Sequence, residues 1–350
     1  MKNILKTISV LVSASLISVV AKAGALEVTG SAKASYVING GQNSTGKGLG
    51  ISNELMFSAS GELDNGFTWD YHTELDMADG GVASNDDTAL VIGLGDLGKV
   101  GIYDAEGGLS TELAFGIGAM GTGADYANTM TNIGRGFDVS ADPHVAYYTP
   151  AGLLPFGVEL AAGYAPRTAD GQGNSFKQSG VVNASDADGQ NATQYKVTAA
   201  PIDGLAIGAS YFEFGGDKGA TKNDQTAESG AYYATYATGP FSVGYSKAYK
   251  APHMSNNVGA TTATTVEYYD QTNYSIAFAA SDDISVSYEV EKSDANRLDD
   301  TSTEQKSSGI QLAYTMGGMT VAVSHASHDN NGYVADANTD QTLFAVTMAF

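Results

Sequence analysis

The feature that most constrains this chain is a two-residue alternation of apolar and polar side chains, clearest between residues 67 and 77. One side of that segment is apolar or aromatic: Phe67, Trp69, Tyr71, Leu75 and Met77. The other side is polar and mostly ionisable: Thr68, Asp70, His72, Glu74 and Asp76. A period of two is that of a β-strand. The polar side does not suit a packed soluble core but suits a water-filled lumen, so the segment predicts a strand between lipid and water.

The last nine residues, from Thr342 to Phe350, follow the same rule. Their apolar face consists of Phe344, Val346, Met348 and Phe350. Leu343 lies on the opposite face, where a polar residue is expected. An unpaired strand edge is a liability, so this strand needs a partner. We expect that partner to be the first strand, from Leu26 to Asn39, because their pairing closes the sheet into a barrel.

Alternating segments recur along the whole chain and are separated by turn residues. Three of the clearest turns contain glycine: Asp64-Asn65-Gly66, Gly95-Asp96-Leu97-Gly98 and Gly317-Gly318. The Asn-Gly step supplies the positive φ that a tight hairpin requires. The tally is about sixteen strands joined by short turns on one side and longer loops on the other. It predicts an all-β protein, a transmembrane antiparallel β-barrel with both termini on the short-turn side.

Composition supports export to a membrane. Residues 1–23 combine a charged start, an apolar run and the small-residue pattern Ala21-Lys22-Ala23, which predicts a secretory signal peptide. Residues 24–350 are then expected to form a single outer-membrane barrel domain. The chain has 20 Tyr, 12 Phe and 43 Gly but no Cys, a composition typical of sheet that is not held by disulfides. Its net charge of -22 excludes a nucleic-acid partner, because phosphate binding needs clustered basic residues.

One long segment, residues 105–142, interrupts the alternation and is rich in glycine. A loop of this length in an otherwise regular meander is usually functional. Two of the predicted strands carry inward-facing carboxylates: Asp70, Glu74 and Asp76 on one, and Glu289 and Glu291 on the other. Rings of carboxylates concentrate cations, so the sequence predicts a lumen that prefers cations.

Two motifs suggest other chemistry and are set aside. Gly93 to Gly98 fits the G-x-G-x-x-G fingerprint, and so does the stretch from Gly116 to Gly121, but neither has the strand-to-helix context that a dinucleotide site requires. His325 and His328 are three residues apart on a predicted strand, so they point to opposite faces and do not form a metal pair. No G-x-S-x-G elbow is present. We therefore expect no enzymatic activity, no catalytic residues and no metal site.

With these features, the chain resembles the Gram-negative general porins, in particular the sixteen-stranded trimeric type of alphaproteobacteria. The resemblance is carried by Leu26-Glu27-Val28-Thr29-Gly30 after the leader, by the hairpin from Gly95 to Gly101 and by the terminal Phe350. In such porins a hairpin of this pattern precedes the third external loop, which folds into the lumen. Residues 105–142 occupy that place. Phe350 resembles the signal that is read by the barrel-assembly machinery.

The resemblance implies a passive diffusion channel for small hydrophilic solutes and ions in the outer membrane, with a homotrimer as the assembly. The constriction loop would contribute the following residues: Glu106, Glu112, Asp125, Arg135 and Asp138. The pore wall would contribute Lys33, Asp70, His72, Glu74, Asp76, Lys196, Glu289 and Glu291. The chain departs from the family in having few basic residues for the wall: Arg167 and Arg297 are expected in other loops.

Further implications concern partners. Outer-membrane lipid and lipopolysaccharide would surround the barrel, no cofactor is expected, and calcium binding by the acidic loop is permitted because some relatives bind calcium with loop carboxylates. Two alternatives stay open. A substrate-specific channel would line its lumen with a row of aromatic residues, for which Tyr103, Phe212 and Phe214 are few. A surface or structural barrel would not conduct.

Overall fold

The computed structural model describes residues 26–41, 46–77, 83–113, 135–166, 191–215, 223–225, 227–252, 254–255 and 265–350. The predicted signal peptide, residues 1–23, lies outside these ranges, as do Asp125, Arg167 and the second glycine motif. Among the described residues, none of the helices has the length and apolar character to cross a membrane.

The described residues form eighteen strands, which we number in chain order. They are β1 (Glu27–Gly41), β2 (Gly46–Glu62), β3 (Thr68–Met77), β4 (Ala83–Gly93), β5 (Lys99–Asp104), β6 (His144–Tyr148), β7 (Glu159–Ala165), β8 (Asn191–Ile202), β9 (Leu205–Gly215), β10 (Asn223–Gln225), β11 (Glu228–Thr238), β12 (Phe241–Ala251), β13 (Met254–Ser255), β14 (Val266–Ala279), β15 (Ile284–Arg297), β16 (Ser302–Met316), β17 (Met319–Asp329) and β18 (Thr339–Ala349). Four short 3₁₀ turns accompany them: Gly95–Leu97, Val139–Ala141, Pro155–Gly157 and Asn331–Tyr333.

Sixteen of these strands form one closed antiparallel barrel, as the sequence predicts. β10 and β13 stand apart as a separate two-stranded sheet, which the sequence analysis did not foresee. The barrel closes between β1 and β18, where Ala34 lies opposite Val346 and Ala32 lies opposite Met348. These pairs share the apolar face that the alternation assigned to the outside, so the predicted closure is confirmed.

The two faces of the wall differ in chemistry, and β14 illustrates the difference. Tyr274, Ile276 and Phe278 are exposed on one face. Gln271 and Asn273 are buried on the other. Alternate residues of a barrel strand point to lipid and to lumen, so the apolar set lies outside and the polar set lines the interior.

The short turns behave as their sequences indicate. Gly66 has a φ of 81°, and its turn is closed by the Leu63 amide, which donates to the Phe67 carbonyl at 2.7 Å. Residues 95–97 form a 3₁₀ turn between β4 and β5, so the first glycine motif is a hairpin and not a dinucleotide loop. His325 is exposed and His328 is buried, which confirms that they lie on opposite faces of β17.

The wall is uneven in height. β5, β6 and β7 have 6, 5 and 7 residues, whereas β14, β15 and β16 have 14, 14 and 15. The shortest strands flank residues 105–142, so the long segment leaves and rejoins the wall at its lowest part.

Two expectations about single residues are corrected. Arg297 does not lie in a loop: it is the last residue of β15 and pairs with Val266 of β14. The strand continues past the apolar rows because its backbone remains paired on both sides, whatever the polarity of the side chains. Leu343 lies on the inner face and is half-buried, since it packs against the cluster of Ala313, Ala322 and Ala345. Small alanine side chains on the neighbouring strands leave room for the leucine.

Candidate pore-lining site

An acidic cluster lies on the inner faces of β2 and β3. Glu54 is directly opposite Asp76 in the register, and Met56 is opposite Glu74. Carboxylate oxygens of Glu54, Glu74 and Asp76 lie within 4.8 Å of one another. Asp70 and His72 follow on the same face of β3, toward the short-turn side. The alternation of residues 54–58 assigns Glu54 to a polar face, but one strand does not reveal its register with the next, so the sequence does not connect Glu54 to the other two.

A second acidic position lies on β15. Glu289 and Glu291 are 1% exposed on its inner face. The Asn273 amide donates to Glu289 at 2.7 Å. The Arg135 guanidinium donates to Glu291 at 3.4 Å, so an arginine of the long segment meets this wall.

The basic residues of the wall are few and separated. Lys33 of β1 lies on the inner face between Ser52 and Thr347, and Lys196 of β8 lies between Ala161 and Ser210. Lys250 of β12, which sequence reasoning missed, lies with its Nζ atom 4.2 Å from the centre of the Phe137 ring. Its inward direction follows from the period of two, so the signal was present in the sequence.

The first part of the long segment is attached to two places on the wall. A carboxylate oxygen of Glu106 lies 2.7 Å from Nε2 of His72 on β3. Thr111 donates from its amide to the Ser210 hydroxyl at 2.9 Å and from its own hydroxyl to the Ala231 carbonyl at 3.0 Å. These contacts carry the chain from β5 toward β9 and β11 along the inner face.

The returning part of the segment follows the same wall. The Phe137 amide donates to the Ser229 hydroxyl at 2.9 Å, and the Val139 amide donates to the Gln194 side chain at 2.9 Å. Both partners belong to inner faces, of β11 and β8. The two described ends of the segment therefore run side by side against β8 to β12.

Asp138 fastens these two ends to each other. Its carboxylate accepts hydrogen bonds from the amides of Leu109 at 3.1 Å, Ser110 at 2.6 Å and Ser140 at 3.0 Å. Hydrogen bonds to an ionised acceptor are roughly twice as strong as neutral ones. The side chain is thus committed to backbone donors from both ends, and its role here is to hold the base of the segment closed.

An apolar cluster completes the attachment. Phe137 lies 5.5 Å from Phe212 and 5.1 Å from Phe214, measured between ring centres. Leu109 and Val139 join the same cluster and are nearly inaccessible to solvent. Phe212 and Phe214 thus face inward as the sequence indicates, but they pack against the segment. Tyr103 likewise stacks on His144, at 5.2 Å between ring centres.

Glu112 is the described acidic residue of the segment whose pKa is shifted by burial. Its Oε2 accepts a hydrogen bond from the Gly136 amide at 2.8 Å. Burial raises the pKa of its carboxyl above the ordinary value, against the Gly136 hydrogen bond and the positive charges of Arg135 and Lys250. Desolvation disfavours the charged form of an acid, and here it outweighs the nearby cations.

The barrel has counterparts among known proteins. A family model for the Gram-negative porins matches residues 7–332. No curated protein sequence matches the chain.

Solved structures share the fold at low sequence identity. Salmonella typhi OmpF, solved in complex with daunomycin, has a TM-score of 0.65 and 14% identity over 93% of this chain and 97% of its own. The anion-selective porin from Comamonas acidovorans has a TM-score of 0.65 and 11% identity over 94% of this chain and 100% of its own. OmpT of Vibrio cholerae, in a trimer form, has a TM-score of 0.60 and 14% identity over 93% and 99%.

The family match spans most of the chain, and the closed barrel of sixteen strands is the architecture of the similar structures. The chain therefore belongs to the Gram-negative porin family and is a β-barrel channel protein of the outer membrane.

Proposed function

We propose that this porin is a passive, cation-preferring diffusion channel for small hydrophilic solutes and ions, narrowed by residues 105–142. The observation that carries the preference is the carboxylate cluster of Glu54, Glu74 and Asp76 on the inner wall. Closely spaced carboxylates along a pore attract cations and repel anions. The inner basic residues are dispersed by comparison: Arg135 is paired with Glu291, and Lys33, Lys196 and Lys250 lie on separate strands, β1, β8 and β12.

The narrowing is supported by the attachment of the segment. Its two described ends are hydrogen-bonded to Gln194, Ser210 and Ser229, which belong to inner faces of β8, β9 and β11. A segment that follows the inner wall occupies cross-section that solutes would otherwise use. Glu106, Glu112 and Arg135 are its described charged residues near the lumen, and Asp138 holds its base.

The alternatives receive less support. A substrate-specific channel needs aromatic rings that a solute can touch, whereas Phe212 is 2% exposed and packs against the segment. A barrel with a purely structural role does not need charged residues facing its interior. We expect no catalytic residues and no cofactor, and calcium binding by the acidic constriction loop remains a proposal.

The assembly we propose is a homotrimer, since OmpT of Vibrio cholerae shares the fold and is described in a trimer form. Residues 1–23 would act as the signal peptide, and the barrel-assembly machinery would insert the mature chain. Lipid and lipopolysaccharide would contact the apolar outer face.

A planar-bilayer measurement tests the function. Purified trimers should give stepwise conductance, and the reversal potential across a potassium chloride gradient should have the sign of a cation-preferring channel. The Comamonas porin has the same fold and is anion-selective, so the fold alone does not set this sign. Replacing Glu54, Glu74 and Asp76 by Gln, Gln and Asn should move the reversal potential toward zero. A chloride-preferring wild type would contradict the proposal, as would folded trimers that do not conduct.

A further inference from the structure

The loop between β17 and β18, residues 330–338, has a defined internal structure. The Asn331 amide donates to the Ala337 carbonyl at 2.8 Å, and the Asn330 side chain accepts from the Asp336 amide at 3.0 Å. Asn330, Tyr333 and Asp336 have positive φ values of 52°, 58° and 63°. Such backbone is sparsely populated by residues other than glycine and persists where surrounding contacts determine it.

Those contacts come from the inner wall of β15 and β16. The hydroxyls of Tyr333 and Ser293 are hydrogen-bonded at 2.6 Å. The Gly332 amide donates to the Gln305 side chain at 3.0 Å, and the Asn330 side chain donates to the Glu304 carbonyl at 2.8 Å. Ser293 and Gln305 are inner-face residues and are fully covered. The loop therefore bends from the rim into the barrel.

The tip of the loop meets an aromatic residue of β14. The Tyr333 ring lies 5.3 Å from the ring of Tyr269 on β14, between centres. Arg297 lies at the same end of β15 and donates to the Thr303 hydroxyl at 2.8 Å. Tyr269 and Arg297 share the inner face with Ser293, because each is an even number of residues from an inner position on its strand.

The loop reaches almost the same height as the long segment. Tyr333 contacts Ser293, and Arg135 contacts Glu291, which lies two residues before Ser293 on the same face of β15. Two residues of strand span about 7 Å. Two separate segments, one entering between β5 and β6 and one between β17 and β18, thus touch neighbouring inner positions of one strand.

We propose that residues 330–338 form a second constriction in series with residues 105–142, with Tyr333 as the residue that limits the size of solutes passing the outer mouth. This inference rests on the proposed channel function. The first constriction carries the charged groups, whereas the second presents a tyrosine pair held by neutral hydrogen bonds. Size limit and ion preference are accordingly set by different residues.

Cysteine labelling tests the position of Tyr333, because the chain contains no cysteine of its own. Tyr333→Cys is expected to conduct more than wild type, since the ring and its hydrogen bond are lost. Reaction of the new thiol with a bulky neutral methanethiosulfonate should then lower the conductance. Asp300→Cys, at the exposed turn between β15 and β16, is the matched control and should react without changing the conductance.

A deletion provides an independent measurement. Replacing residues 331–335, which carry no charged side chain, by two glycines should raise single-channel conductance and speed liposome swelling in larger sugars, while leaving the reversal potential unchanged. Migration of unheated protein in detergent gels verifies that the variants fold. The Tyr333→Phe variant keeps the ring, so its conductance should lie between those of wild type and the deletion. Labelled Tyr333→Cys with unaltered conductance, or a folded deletion with wild-type conductance and swelling, would overturn the second constriction. A silent wild type would instead contradict the channel function itself.

Discussion

Gly30 and Phe350 close the barrel by exchanging two backbone hydrogen bonds, from the Gly30 amide at 2.9 Å and from the Phe350 amide at 3.0 Å. The approach is close: a Cβ atom at position 30 would lie 2.9 Å from the Phe350 ring and 2.7 Å from the Glu54 carbonyl oxygen. A residue with a side chain at position 30 would collide with the Glu54 backbone and the Phe350 ring, so this position requires glycine.

Deleting Phe350 should reduce the yield of folded barrel far more than it changes conductance. The deletion removes the two hydrogen bonds between Gly30 and Phe350 but no residue of the inner wall. The folded fraction is measured by the migration of unheated samples, and conductance is measured on the molecules that fold. Gly30→Val is the companion variant and should also lower the yield, because its side chain collides with the ring. A normal yield for both variants would exclude this role of the seam.

Asp138→Ala should loosen residues 105–142, because three backbone donors at the base of the segment lose their acceptor. Hydrogen bonds to a charged group contribute about 1.5–3 kcal/mol each, so the loss is large for this segment while the sixteen-stranded wall stays intact. We expect frequent conductance substates in single-channel records. Asp138→Asn keeps one acceptor oxygen, so the frequency of its substates should lie between those of wild type and Asp138→Ala. Steady conductance in Asp138→Ala would argue against the clamp.

Glu112→Gln should stabilise the barrel at neutral pH and have no effect in acid. Burial raises the pKa of Glu112 above its model-compound value of 4.5, so the ionised form is less favoured in the folded state than in the unfolded one. The contribution of this carboxyl to stability is complete below pH 4.5 and is lost as the pH rises through the raised pKa. The free energy of unfolding in urea should be measured for wild type and Glu112→Gln, both below pH 4.5 and at neutral pH. An equal difference between the two proteins at both pH values would refute the prediction.

Arg135→Gln should increase the preference for cations, because it removes the positive charge beside Glu291. The reversal potential in a salt gradient measures the change. Lys247→Gln is a matched control: Lys247 pairs with Asp270 at 3.2 Å on the outer face, so the same loss of charge occurs outside the pore. If both variants shift the potential equally, the effect comes from net charge and not from the lumen.

Much of the architecture was predictable because β-strands reveal their faces in one dimension. The alternation of Trp69 and Tyr71 with Asp70 and His72 is enough to assign lipid and water sides, and the terminal Phe350 row indicates the closing strand. The same rule assigns Lys33 and Lys196 to the inner face. These assignments need no knowledge of neighbouring strands.

The parts that escaped prediction depend on contacts between distant segments. From the sequence, Asp138 is a constriction carboxylate, and only the structure shows that it accepts hydrogen bonds from three backbone amides. From the sequence, Phe212 is a candidate pore-lining ring, and only the structure shows that Phe137 packs against it. Arg297 reads as a loop residue because polar side chains above the apolar rows do not distinguish strand from loop. In each case the deciding partner is far away in the sequence, beyond the reach of a local pattern.

The uneven wall has a consequence for the surrounding bilayer. At about 3.4 Å per residue, strands of 14 or 15 residues reach about 50 Å, whereas β5 and β6 reach about 20 Å, and tilt shortens both. The apolar belt of an outer-membrane barrel is about 25 Å tall, so regular strand alone cannot fill it beside β5 and β6. Lipid of uniform thickness therefore meets a hydrophobic mismatch on one side of the molecule. We expect acyl chains to be compressed there, or this side of the barrel to be covered by another protein.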